Sequence, residues 1–291
     1  MPISERVRIL KNVGDMGLML NRDKSPEKKL EDLKVYLGKL GHVMIAFSGG
    51  VDSVFLLHVA QEILGERAVA VTADSFLFPQ RELDEAREFC ISRGIRHIIF
   101  ESEELASQDF CSNPVNRCYI CKRKLFERIL LIGRKEGIVN IAEGSNMDDM
   151  GDYRPGLQAV EELGIKSPLR HVGLFKSEIR MLSQKSDLPT WEKPSFACLA
   201  TRIAYGDLIT KEKLSMVGQG EQCLLDLGFH QIRVRIHGQM ARIEVGQEEF
   251  ERLLCHDIRE QIISRFRELG FTYISMDLEG YRTGSMNEGL R

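Results

Sequence analysis

Two small groups of residues in this chain have the types and spacing to do chemistry. The first is Ser48-Gly49-Gly50-Val51-Asp52-Ser53, set between the apolar run Val43–Phe47 and an apolar helix-forming stretch. Gly49 and Gly50 let the backbone turn tightly and approach a ligand with no Cβ in the way. The N–H groups that open the next helix then face an anion, which the helix dipole favours. Ser48 and Ser53 add hydroxyl donors. Asp52 beside a bound phosphate calls for a cation, and Mg2+ suits that place. A Walker loop requires a lysine that this segment lacks. The plainer alternative is a Gly-Gly turn with a Ser or Asp helix cap. Thr72-Ala73-Asp74-Ser75 closes the following strand, so Asp74 either lines the nucleotide or caps the helix beyond it.

The second group is made of thiols. Cys118 and Cys121 form a CxxC within the hexapeptide RCYICK, and Cys198 lies in a second segment, residues 194–202. Two thiolates three residues apart can share one metal, and a third from a distant loop leaves one tetrahedral position open. An iron–sulfur cluster held by three cysteines keeps one iron free for an outside ligand. Taken alone, a CxxC fits structural zinc or a redox dithiol equally well. Arg117, Lys122, Arg123 and Lys124 favour thiolates, or else form a solvated helix start.

The elements that must position these groups follow from apolar spacing. Leu30, Leu33, Tyr36, Leu37 and Leu40 predict a helix from Pro26 that Gly41 ends. Strands are predicted at 43–47, 68–72, 97–100 and 138–142, alternating with helices at 54–64, 79–93 and 121–135. Such alternation predicts an α/β fold: a doubly wound, mostly parallel sheet covered on both faces. It spans 26–206, after a flexible N-terminal arm over 1–25. Beyond Tyr205-Gly206-Asp207 the pattern changes to a helix at 211–227, a hairpin of strands at 232–236 and 241–245, and a last strand at 272–278. This is a smaller α+β domain over 207–291. Within it, Arg233 and Arg235 project from one face of a half-buried strand. They can clamp a phosphate, or they form the strand's solvent face.

The bulk numbers set limits. The 291 residues are 43% hydrophobic and 29% charged, as expected of a globular protein with a sizeable core. A net charge of −3 gives no sign of an electrostatic coat for nucleic acid or an anionic membrane and leaves room only for a local basic patch. Charged residues interrupt the first twenty positions, so no signal-peptide core forms there. No apolar run reaches the ~18–20 residues that span a bilayer. A cytoplasmic location is expected, with the seven cysteines reduced. An odd count argues against a disulfide scaffold.

The hexapeptide SGGVDS resembles the PP-loop of the ATP pyrophosphatase superfamily, in which the loop holds the β,γ-pyrophosphate as leaving group. Other segments carry the likeness further: RCYICK, EGSN at 143–146, ACLATRIAYGD at 197–207, HGQMARIEV at 237–245 and DLEGYRTGSMNE at 277–288. With these, nearly the whole chain beyond residue 25 resembles the LarE family, ATP-dependent sulfur transferases that help build the nickel-pincer nucleotide cofactor of lactate racemase.

The resemblance implies that ATP adenylates a carboxylate of a pyridinium-3,5-biscarboxylate mononucleotide and releases pyrophosphate. Sulfur then displaces AMP to give a thiocarboxylate. One variant of the family gives up the sulfur of the cysteine matching Cys198 and is left with dehydroalanine. The other holds a 4Fe-4S cluster on three cysteines and passes on a sulfide bound to the free iron. Having Cys118, Cys121 and Cys198, this chain resembles the cluster-bearing variant. The resemblance also implies functional roles for Glu221, Arg233 and Arg235, a metal-binding role for Glu244, a symmetric homo-oligomer and transient contacts with other cofactor-biosynthesis proteins. A sulfide or other sulfur donor is the second substrate.

Rival readings differ in what they require. A PP-loop tRNA thiolase needs a basic face and an RNA-binding appendage. An amidotransferase-type synthetase needs a glutaminase domain or an N-terminal catalytic cysteine. A nucleotide-binding module with structural zinc would not turn ATP over to AMP and pyrophosphate.

Overall fold

The computed structural model describes residues 24–151, 155–194 and 197–282. All but the last two residues of the expected arm over 1–25 lie outside these limits. So do Ser195 and Phe196 and the stretch 283–288 of the C-terminal motif.

The chain forms two compact units. The first takes residues up to 74, with 81–102 and 118–196; the second takes 75–80, 103–117 and 197 onward. In the first unit, helix α1 (Pro26–Leu40) is capped by Ser25, whose hydroxyl accepts from Lys28 N, and ends at Gly41. Its face buries Leu33 and Leu37. Then follow β1 (Val43–Ala46), α2 (Val51–Leu64), β2 (Ala68–Asp74), α3 (Gln80–Ser92), β3 (His97–Glu101), α4 (Arg117–Lys135), β4 (Asn140–Ala142), α5 (Pro155–Glu162) and α6 (Lys176–Lys185).

The sheet is wholly parallel, in the order β3-β2-β1-β4. Alternate strand residues feed two cores. Val43, Ile45, Ala68 and Ala70 pack with α1, α2, α3 and α6, while Met44, Val69 and Val71 pack with α4 and α5. From β1 the chain winds out to β3 and then returns to the other side of β1 at β4. The carboxyl ends of β1 and β4 therefore flank the switch point, where α/β sheets bind ligands.

Helix α4 begins at Arg117, not at Cys121 as the apolar spacing suggested. Arg117 N donates to Pro114 O at 2.9 Å, so the chain has already turned before Cys118. The cysteine pair thus lies in the first two turns of a helix.

In the second unit, α7 (Lys211–Asp226) starts at Thr210, whose hydroxyl accepts from Lys213 N. Strands β5 (Ile232–His237) and β6 (Met240–Val245) form an antiparallel hairpin, and β7 (Tyr273–Met276) pairs parallel to β6. Helix α8 (His256–Glu268) packs tightly on α7. A Cβ on Gly220 would lie 3.2 Å from the Phe266 ring and 3.5 Å from Val234. Strand β5 differs from expectation, because both of its faces are buried. Arg233 is 8% exposed and Arg235 5%, which overturns the solvent-face alternative for these arginines.

Candidate active site

The SGGVDS loop leaves β1 and enters α2. Gly49 takes the left-handed conformation, with φ 70°, which side chains disfavour. A Cβ there would meet Glu82 O at 3.4 Å. Gly50 is the N-cap of α2 in an ordinary extended conformation. The tight turn therefore rests on Gly49 alone. The two loop serines brace each other: Ser53 Oγ donates to Gly50 O at 3.0 Å, and Ser48 N donates to Ser53 Oγ at 3.3 Å. The first N–H groups of α2 are left for an anion.

The loop after β4 closes on this one. A Cβ on Gly144 would lie 3.1 Å from Ser53 N, a tight contact that glycine avoids. Asn146 Nδ2 donates to Asp52 Oδ1 at 3.2 Å, and Lys176 Nζ donates to Asp52 Oδ2 at 2.5 Å. Burial pushes the Asp52 carboxyl up from its ordinary range, aided by Asp149, while Lys176 and Asn146 pull it down. On the other flank, Lys193 Nζ donates to Glu85, to Glu82 and, at 3.3 Å, to Gly49 O. The loop thus has an ammonium group on each side. Glu143 is buried and accepts from Ser145 N, Ser145 Oγ and Ser167 Oγ, with Lys122 Nζ 3.9 Å away.

A hydrogen-bonded chain supports the loop from beneath. Thr72 Oγ1 donates to Phe47 O at 2.7 Å and so accepts from His97 Nε2–H, also at 2.7 Å. Burial pushes His97 down to about 4, with Arg87 adding to it. The unfolded chain therefore takes up this proton at higher pH than the folded one. Stability linked to His97 is present above the ordinary value of 6.5 and is lost as pH falls toward 4. Denaturation midpoints should fall across that window, and the fall should be smaller in His97→Gln. An equal fall in both proteins would remove His97 from the account.

Asp74 ends β2, and its carbonyl accepts from Ser102 N. The hydroxyl of Ser75 accepts from Leu77 N in the following turn.

The second unit holds a buried charge network. Glu221, expected on an ordinary polar helix face, is fully buried. It takes a bidentate pair from Arg202 at 2.8 and 2.9 Å and the Val234 N–H at 3.1 Å. Arg202 NH1 reaches on to the carbonyls of Ala197 and Cys198 and to Thr201 Oγ1. Glu221 thereby shapes the turn that carries Cys198. Glu221→Ala would strand the Arg202 charge and should cost roughly 3–5 kcal/mol of stability, read from urea unfolding. A loss below about 1 kcal/mol, typical of an exposed pair, would refute this.

Arg235 makes a bidentate pair with Glu244 at 3.0 and 3.1 Å and donates to Thr201 O. Glu244 also accepts from Arg242, so both of its oxygens are engaged by guanidinium groups. Arg233 stacks 5.0 Å from the Tyr281 ring centroid. Burial and the nearby Arg202 push its guanidinium below the ordinary range. This concentration of positive charge favours an anionic ligand.

Among the thiols, Cys118 is exposed, Cys121 and Cys198 are half-buried, and Cys90 is buried. Burial pushes the Cys90 thiol up to about 12 and raises Cys223. These two are poor thiolates; the CxxC pair sits in the first two turns of α4. Among the described residues, no three His, Cys, Asp or Glu side chains form a group that could hold a metal ion. The same residues include no helix long and apolar enough to cross a membrane.

A parallel sheet with an anion-cradling loop at its switch point and no Walker lysine defines a PP-loop ATP-using enzyme. Comparison with known proteins agrees. The chain is 26% identical to the glutamine-hydrolyzing GMP synthase of Aeropyrum pernix over 196 residues, 60% of this chain and 38% of that one. No family model matches. It is 40% identical to an uncharacterized protein of Synechocystis sp. over 264 residues, 91% of this chain and 98% of the relative. It is 32% identical to the pyridinium-3,5-bisthiocarboxylic acid mononucleotide synthase of Lactiplantibacillus plantarum over 263 residues, 90% and 95% of the two chains. The chain belongs to the LarE family of ATP-utilising sulfurtransferases.

Proposed function

We propose that this enzyme adenylates a carboxylate of a pyridinium-3,5-biscarboxylate mononucleotide and converts it to a thiocarboxylate for a nickel-pincer nucleotide. The observation that carries the reading is the SGGVDS loop braced at the β1–β4 switch point, with Lys176 and Lys193 on its flanks. Ser48, Gly49, Gly50, Ser53 and the start of α2 hold the β,γ-pyrophosphate, and Asp74 lines the nucleotide. A substrate carboxylate oxygen attacks the α-phosphorus, and the bond to pyrophosphate breaks. Sulfide then attacks the acyl carbon, and AMP leaves.

Mg2+ fits Asp52, since this ion takes one or two carboxylates and otherwise phosphate and water oxygens. It would offset the charge of the leaving pyrophosphate. Cys118, Cys121 and Cys198 would be the ligands of a 4Fe-4S cluster, which would supply sulfide from its free iron, although among the described residues they do not form one metal-holding group. Glu244 fits a resident metal poorly, because Arg235 and Arg242 occupy its oxygens. No step is routed through a metal there.

Arg233 and Arg235 serve the substrate phosphate, and Glu221 acts through Arg202 on the Cys198 turn. The division of labour is a nucleotide domain over 26–206 and a substrate and oligomerisation domain over 207–291. Arg233→Ala should raise the substrate KM roughly tenfold, the loss of one charge-assisted contact. An unchanged KM would return Arg233 to a packing role.

The reaction is tested anaerobically with ATP, the mononucleotide and sulfide. AMP, pyrophosphate and thiocarboxylate should appear together. Formation of ADP and phosphate, or AMP formation with no thiocarboxylate, would refute the proposal.

A further inference from the structure

The phosphate loop sets two glycines side by side, and the peptide between them is the softest in the loop. Neither Gly49 nor Gly50 has a Cβ to restrict rotation of the plane they share. Yet the Gly50 N–H serves an anion only when that plane is turned one way. The peptide is trans, so the Gly49 carbonyl and the Gly50 N–H point in opposite directions. Whatever holds the carbonyl therefore aims the N–H. Among the described residues the Gly50 N–H donates to no backbone acceptor.

Among the same residues Lys193 is the donor that holds Gly49 O, at 3.3 Å. Its ammonium also donates to Glu82 at 2.8 Å and to Glu85 at 2.5 Å. An ammonium has three N–H groups, so each finds one acceptor. The backbone of this lysine is fixed as well. Lys193 N donates to Thr190 O at 3.0 Å, and Lys193 O accepts from Arg180 at 2.8 Å. Arg180 also donates to Trp191 O. It lies one turn along α6 from Lys176, which opens that helix and pairs with Asp52. One helix thus places both ammonium groups beside the loop. A tie made for stability alone would end at the two carboxylates. Here the third N–H reaches the carbonyl of the loop's left-handed residue.

We propose that Lys193 is a positioning residue: it holds the Gly49 carbonyl and so turns the Gly50 N–H into the pyrophosphate cradle. The N–H is then aimed before the ligand arrives, and no reorganisation is needed at the moment of reaction. The inference rests on the phosphate-loop reading above.

The test uses the full chain with Mg2+ and pyrophosphate, read by calorimetry and by the backbone amide signal of Gly50 in NMR spectra. In wild type that proton should move downfield as pyrophosphate binds. In Lys193→Met the pyrophosphate Kd should rise about tenfold, the scale of one hydrogen bond to a charged group. At saturating pyrophosphate the Gly50 shift should be largely lost. AMP lacks the β,γ-phosphates and should bind both proteins alike.

A lysine that touched the ligand directly, or one that only braced the fold, would leave the Gly50 shift in place in the saturated variant. That result would overturn the proposal, as would a loss of AMP binding equal to that of pyrophosphate. If Lys193→Met fails to fold, Arg180→Lys is used. It keeps the charge but loses the two-pronged hold on Trp191 O and Lys193 O. It should weaken pyrophosphate binding, not AMP binding, and reduce the Gly50 shift; no change in either would overturn the proposal. A wild type that binds pyrophosphate with no response at Gly50 would overturn it and leave the phosphate loop standing. A wild type that binds no pyrophosphate would overturn both.

Discussion

Cys118→Ser, reconstituted anaerobically with iron and sulfide, is expected to bind little iron and to lose multiple turnover. The reason is ligand number. In the proposed cluster three thiolates would hold three irons, and the fourth iron would be left to carry sulfide. Serine is a poor ligand for iron that prefers thiolate. Cys121→Ser and Cys198→Ser should fail in the same way. Ser at 90, 111, 223 or 255 should leave turnover nearly intact, because the proposed cluster uses none of these four, and burial raises the thiols of Cys90 and Cys223. The sacrificial scheme makes an opposite forecast. There only Cys198 matters, each chain transfers one sulfur, and dehydroalanine remains at 198. A wild type that turns over once, with Cys118→Ser equally active, would refute the cluster and leave the adenylation chemistry untouched.

Gly49→Val should abolish pyrophosphate release while the chain stays folded. Its φ of 70° is a conformation that a β-branched residue adopts only as an outlier. The new side chain would also press on the Glu82 carbonyl, 3.4 Å from its Cβ. The loop must move, and a shift of about 1 Å at a positioned phosphate costs roughly 10²-fold in rate. Because Lys193 ties Gly49 O to Glu82 and Glu85, the displacement reaches α3 as well. Gly50 has an ordinary φ of −78°. Gly50→Ala should therefore disturb the ligand-free loop less, and any loss it causes comes from crowding the nucleotide. The check is AMP formation at saturating ATP, with circular dichroism as control. Normal rates in Gly49→Val would remove the loop from the mechanism.

Much of this was legible in the residues. Short apolar runs marked β1 to β4, and glycines and prolines marked where helices stop and start. The six residues of the phosphate loop were readable because strand, turn and helix are contiguous. The start of α4 was not, since the turn before it rests on a backbone bond from Arg117 N to Pro114 O rather than on apolar spacing. The burial of Arg233 and Arg235 was hidden too, because the carboxylate and aromatic ring that cover them come from β6 and from Tyr281. Lys176 and Lys193 belong to no motif. Their partners at the loop lie 124 and 144 residues away, and only the folded sheet brings them together.

The path of the chain between the units limits how this protein can be cut. It passes from one unit to the other after residues 74, 80, 102, 117 and 196. A C-terminal fragment beginning at 207 would therefore lack 75–80 and 103–117, and with them Cys111, whose carbonyl accepts from Ile209 N. Such a protein is not a pair of beads on a string. Its second unit cannot be borrowed by simple fusion, nor lost by a single truncation. During synthesis two of its segments must wait, already made, for the last third of the chain to leave the ribosome.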